Sequence, residues 1–115
     1  MTTLEALRAE LRAFVDEREW DQFHNPKNLV MALVAEAGEL VEHFQWLTAE
    51  QADRLAPETR EEVSHEIADV LLLLLRLCDR LGVDPIEAAS RKLELNRVKY
   101  PVDKARGTST KYDKL

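Results

Sequence analysis

The chain has 115 residues, 45% of them hydrophobic, and a formal net charge of −6. That length supplies one compact domain with a modest core and leaves no room for a second. The acidic balance argues against a nucleic-acid polymer as partner, because no basic face offsets phosphate repulsion, and the longest strongly apolar run, Leu71 to Leu75, is far short of the roughly 20 residues that cross a membrane.

Few glycines, few prolines and few β-branched runs point to an all-α protein. The spacing of Leu4, Leu7, Leu11, Phe14 and Val15 predicts a packing helix over Thr3 to Glu19, with Thr2 or Thr3 as its N-cap. Its opening is amphipathic and partly acidic, unlike the basic and then apolar start of a secretory signal. Cys78 stands alone, so neither a disulfide framework nor a thiolate metal site can form within the chain. The expectation is a soluble, cytoplasmic protein.

Trp20 to Asn25 is a short polar and aromatic stretch. Trp20, Phe23 and His24 can touch a ligand there, or the two larger rings can simply plug the end of a bundle, which is the commoner use of such residues. Asn25 then caps, and Pro26 starts, a helix that carries the pattern through Asn28 to about Leu47. Its core-facing stripe runs Leu29, Ala32, Leu33, Leu40, His43, Phe44, Leu47, and is interrupted by Glu36 and Glu39.

Thr48 to Ala56 reads as a polar connection with room for one helical turn. Pro57 and Glu58 open a long helix to Leu81, stopped by Gly82. On one side it aligns Glu62, Glu66, Asp69, Leu73 and Leu77, and it is otherwise apolar almost all round. Asp84 and Pro85 start a last helix to about Tyr100, closed by Pro101. Lys92, Asn96 and Tyr100 recur along one edge of it and can serve phosphate and base, or be a solvated basic face. The organisation expected is one helical domain of four-helix-bundle type over residues 1–101, then a polar basic tail over 102–115 that is disordered or lies over a neighbour.

Glu36-x-x-Glu39 and Glu66-x-x-Asp69 each place two carboxylates about one turn apart. Two such helices facing each other present four oxygen ligands to one point, and carboxylates sheltered from water need compensating positive charge. A hard divalent cation supplies it, with oxygen-only ligation favouring Mg²⁺, or Mn²⁺, over zinc. The competing reading makes the acids surface groups, or pairs them with Arg76 or His65. A carboxylate-bridged di-iron bundle fails on ligand count, because Glu62-x-x-His65 has the required spacing but no second Glu-x-x-His exists.

EAGEL at 36–40, followed by EIADV at 66–70, resembles the split signature of the all-α nucleoside triphosphate pyrophosphohydrolases, the MazG-like superfamily. Trp20-Asp-Gln-Phe-His24, Asn25-Pro-Lys-Asn-Leu29, Phe44-Gln-Trp46, Asn96-Arg-Val-Lys-Tyr-Pro101 and the tail Arg106-Gly … Lys111-Tyr112 resemble its dCTP pyrophosphatase branch in particular. The resemblance covers nearly the whole chain.

It implies hydrolysis of a (deoxy)nucleoside triphosphate, with dCTP or a modified dCTP preferred, to monophosphate and pyrophosphate as a house-cleaning step. Glu36, Glu39, Glu66 and Asp69 would hold Mg²⁺ and carry catalysis, and Glu62 is a candidate for a supporting base. His24, Trp20, Phe23 and Trp46 would enclose sugar and base, while Lys92, Asn96, Tyr100 and Lys111, with Arg97 as a further cation, would meet phosphates and nucleotide. His65 departs from the pattern, since relatives often carry a glutamate beside the metal-binding Glu. The resemblance also implies a homo-oligomer, dimer or tetramer, which agrees with a leucine-rich helix too apolar to stand uncovered. The alternative from another class is a non-catalytic acidic helical module that binds a partner or a metal.

Overall fold

A computed structural model describes all residues, Met1–Leu115, and contains helices and turns but no strand. The chain divides into two compact units, Met1–Gly82 and Val83–Leu115. No helix is long and apolar enough to cross a membrane.

In the first unit, α1 spans Leu4–Glu17, with the Thr3 hydroxyl accepting from the Ala6 N–H at 3.1 Å. It ends in a Schellman turn. Trp20 N–H donates to the Val15 carbonyl and Glu19 N–H to that of Asp16, both at 3.1 Å. Glu19 takes the left-handed position, φ 53°, which glycine usually fills. The chain is thereby turned so that Trp20 leads into a 3₁₀ turn, Asp21–Phe23.

Helix α2, Pro26–Glu42, starts on Asn25, whose side chain accepts from the Asn28 N–H at 2.9 Å. The expected continuation to Leu47 does not occur. After His43 the backbone tightens, with Phe44 N–H reaching the Val41 carbonyl and Leu47 N–H that of Phe44. These three-residue reaches close turns rather than helix. Thr48 and Gln51 then form a capping box over the one-turn helix α3, Ala49–Ala52.

The long helix α4, Pro57–Leu81, ends on Gly82 in the left-handed region at φ 67°. It packs against α2 more extensively than any other pair of elements does. Val15, Leu29, Val63, Leu75 and Cys78 form the buried apolar core. Within the α2 stripe Leu29 is fully covered, whereas Ala32, Glu39 and Leu47 are exposed. The leucine run of α4 is covered on one side only: Leu75 is buried, Leu71 and Leu74 are exposed.

In the second unit, α5 spans Pro85–Lys99, and the Asp84 side chain accepts from the Ile86 and Glu87 N–H groups. The basic segment beyond Pro101 holds a one-turn helix α6, Val102–Ala105, and a 3₁₀ turn, Tyr112–Lys114.

Candidate metal and nucleotide site

Glu36 and Glu39 on α2 face Glu66 on α4, and one carboxylate oxygen from each lies within 4.8 Å of the other two. A spacing of three residues puts Glu36 and Glu39 on one helical face, and the packing of α2 on α4 brings Glu66 to them. Asp69 stands outside this trio. It lines, with Glu36, an adjoining cavity of about 230 Å³ whose other walls include Phe14, Trp20, His24, Leu72 and Arg76.

None of the four acids is in an ion pair. Arg76 goes instead to Asp21 and Asp79, and His65 to Glu61. The negative charge therefore stays concentrated. Glu36 is pushed up to about 7, first because a proton on it can be donated to Glu66, then by burial and by repulsion from Glu39 and Asp69. Glu66 is raised as well, chiefly by burial, with Glu39 and Asp69 adding to it. Glu36 Oε2 and Glu66 Oε2 are both buried and lack a partner. Two orphaned carboxylate oxygens inside an all-oxygen cluster are what a hard divalent cation satisfies, so the residues fit one.

The cavity beside the acids brings together two of the aromatic candidates. Trp20 stacks edge-on against Phe14 at 5.6 Å between centroids and lies 6.4 Å from His24. Phe23 and Trp46 do not line it, and Trp46, in the turn after α2, is 86% exposed. Glu62 lies 3.8 Å from His43 Nδ1. In the second unit, Asn96 and Tyr100 are half-buried, and Lys92 is exposed. Tyr100 meets Tyr112 edge-on, Lys111 stands 5.9 Å from the Tyr112 ring, and Arg97 pairs with Glu94.

Sequence spacing did not disclose the charged network behind the cavity. Arg8 and Arg12 of α1 converge on Asp79 at 2.9 and 2.8 Å, while Arg76 bridges Asp79, Asp21 and His24. The recurrence of Arg8 and Arg12 one turn apart, and of Arg76 and Asp79 on α4, was the available signal.

Residues 31–115 match the MazG-like family model. The chain belongs to the MazG-like family. Over 115 residues it is 43% identical to dCTP pyrophosphatase 1 of mouse and of human, covering 98% of this chain and 68% of each of theirs. A crystal structure of a pyrophosphatase from Archaeoglobus fulgidus superposes with a TM-score of 0.82 at 43% identity, over 88% of this chain and 94% of that one. This MazG-like chain is an enzyme of the pyrophosphatase kind, and three of the four acids that carried the resemblance, Glu36, Glu39 and Glu66, meet between α2 and α4.

Proposed function

We propose that the protein is a Mg²⁺-dependent nucleoside triphosphate pyrophosphohydrolase that converts dCTP, or a modified dCTP, to the monophosphate and pyrophosphate. The observation that carries this reading is the convergence of Glu36, Glu39 and Glu66, unpaired by any cation, beside an aromatic-lined cavity that also holds Asp69. The names of the mammalian relatives support dCTP.

Glu36, Glu39, Glu66 and Asp69 would hold Mg²⁺, or Mn²⁺, which when bound neutralises phosphate charge and acidifies a water. One of these carboxylates, or Glu62 nearby on α4, would take the proton of that water. The cavity, at about 230 Å³, is smaller than the roughly 300–1,000 Å³ of pockets that enclose whole ligands, so it takes one ring rather than a nucleotide. Trp20 offers that ring a stacking face, and the charged part of the substrate would be left at Glu36 and Asp69. Phe23 and Trp46 remain candidates for base or sugar contacts. Lys92, Asn96, Tyr100 and Lys111 bring phosphate- and nucleotide-binding chemistry of their own.

The same reading includes self-association, as dimer or tetramer. Val30, Val34 and Val41 form an exposed stripe on α2, and Ile67, Leu71 and Leu74 another on α4, with Val34 63% and Ile67 54% exposed. Apolar stripes of this extent call for a cover, and a second copy supplies one. Sedimentation should give a dimer or larger species.

The deciding experiment is a product assay across canonical and modified triphosphates with Mg²⁺. Pyrophosphate and monophosphate should appear together, and Glu36→Gln and Asp69→Asn should each abolish turnover in folded protein. Stepwise release of phosphate, or substantial activity in both variants, would exclude the assignment. A non-catalytic helical module would show no metal-dependent thermal shift with a non-hydrolysable dCTP analogue.

A further inference from the structure

His24 lines the cavity beside Glu36 and Asp69, and one of its two ring nitrogens is already engaged. Arg76 donates its Nε–H to His24 Nδ1 at 3.2 Å. A guanidinium has five N–H donors and no acceptor, so Nδ1 must face it as a lone pair. The proton of the neutral ring then resides on Nε2, which makes no hydrogen bond within the protein. Burial pushes His24 below its ordinary range, and the Arg76 cation adds to that, so the ring stays neutral.

Arg76 is in turn held from both sides. It is buried, its terminal nitrogens reaching Asp21 Oδ1 at 2.8 Å and Asp79 Oδ2 at 3.4 Å, and Asp21 is shared with Arg80 at 3.0 Å. Asp79 takes Arg8 and Arg12 as well. A guanidinium fixed by two carboxylates is held against the imidazole, so the tautomer of His24 is set by its neighbour in the cavity wall.

We infer that Arg76 is a positioning residue that locks His24 as its Nε2–H tautomer, giving the cavity one neutral hydrogen-bond donor for an acceptor atom on the edge of a pyrimidine base. The inference rests on the nucleotide reading above. The apolar walls of Leu11, Phe14, Val15 and Leu72 suit a ring, and the one cation of the lining, Arg76, is already taken by Asp21 and Asp79, which leaves a carbonyl oxygen or unprotonated ring nitrogen as the group that meets Nε2–H. A base presenting an N–H at that point would set donor against donor and be rejected, because a buried unpaired donor costs about 1–3 kcal/mol.

Long-range ¹H–¹⁵N correlation spectra of the imidazole in the free protein test the first half directly. The wild type should show the neutral Nε2–H pattern, and Arg76→Met should show a mixture with the Nδ1–H form. Asp79 keeps Arg8 and Arg12, and Asp21 keeps Arg80, so the variant retains the partners needed to fold. In the product assay Arg76→Met should raise KM up to about tenfold, the scale of one neutral hydrogen bond, with a smaller effect on kcat. His24→Asn should raise KM more than His24→Gln, whose longer amide reaches toward the Nε2 position. In the His24→Asn background Arg76→Met should add little. An Nδ1–H or imidazolium pattern in the wild type, or an Arg76→Met spectrum unchanged from it, overturns the inference even if nucleotides are hydrolysed normally. Absence of turnover on every triphosphate, with the Nε2–H pattern intact, instead removes the nucleotide reading and the base-recognition half with it.

Discussion

Glu36 and Glu66 stand opposite each other on the two packed helices, each with a buried Oε2 that has no partner. Two ionised carboxylates can only accept, so neither can satisfy the other. One proton relieves them, and Glu36 is accordingly pushed up to about 7, first by the hydrogen bond that its protonated form can donate to Glu66 and then by burial.

A pH dependence of metal-free stability follows. The ordinary value of Glu36 is 4.5, so between that pH and about 7 the folded protein retains a proton that the unfolded chain has lost. The native state binds more protons there, and stability must fall as pH rises. The contribution is fully present below 4.5 and gone above about 7. Thermal melts in EDTA should show the wild type losing stability across this window relative to Glu36→Gln, which cannot titrate. Mg²⁺ should reverse the loss, with an apparent affinity that increases as pH rises through 7, because binding must displace the proton. Parallel pH profiles for the two proteins would disprove it.

Trp20 offers a second quantity to measure. If its ring supports a base, truncation removes a stacking contact of about 1–3 kcal/mol. Trp20→Ala should therefore raise KM by roughly 5- to 150-fold, with Trp20→Phe intermediate. Trp46→Ala, at a side chain that does not line the cavity, tests separately whether the second ring also contributes to binding. An unchanged KM in Trp20→Ala would show that the cavity beside Glu36 is not where the base goes.

Local chemistry made much of this legible in the sequence. Thr3, Asn25 and Asp84 cap the helices assigned to them, and Gly82 stops α4, because a cap depends on residues within one turn of it. The meeting of Glu36, Glu39 and Glu66 could also be anticipated, since acids set in two apolar helical faces travel with those faces into the packing. The end of α2 could not, because no glycine or proline marks the change after Glu42. Nor could the long-range partner of Arg76. It follows Asp69 by seven residues, about 10 Å along a helix, which removes it from the acids it might have neutralised. Asp79 is three residues on, but Asp21 lies 55 residues away, beyond the reach of any spacing rule.

The Arg8–Arg12–Arg76 convergence on Asp79 should be a principal electrostatic support of the first unit. Burial pushes Asp79 up, but hydrogen bonds from Arg12 and Arg8 outweigh it and hold the carboxyl below its usual range. The Arg8 and Arg76 side chains are only 9% and 7% exposed. Asp79→Ala would leave both with one remaining acidic partner each, and uncompensated buried charge of this kind costs about 3–5 kcal/mol. Urea denaturation should place the variant at the low end of that range, because Glu5 and Asp21 still act. A loss under about 1 kcal/mol would mean that the network is screened like a surface pair.

Glu19 supplies the last test, this time in the backbone. It holds the left-handed position of the Schellman turn at φ 53°, where an L side chain costs roughly 1–2 kcal/mol and glycine costs none of that. Glycine gives back some of the gain through its freer unfolded chain, about 0.5–1 kcal/mol. The Glu19 side chain makes no ion pair, and Gln22 bonds only its carbonyl, at 2.8 Å, so nothing is lost with the carboxylate. Glu19→Gly should therefore stabilise the protein by about 0.5–1 kcal/mol. Because the turn leads directly into Trp20, the same variant should leave the Trp20 ring against Phe14, visible as an unchanged near-UV circular dichroism spectrum. A destabilised Glu19→Gly protein would show that the turn is held by something other than its local geometry.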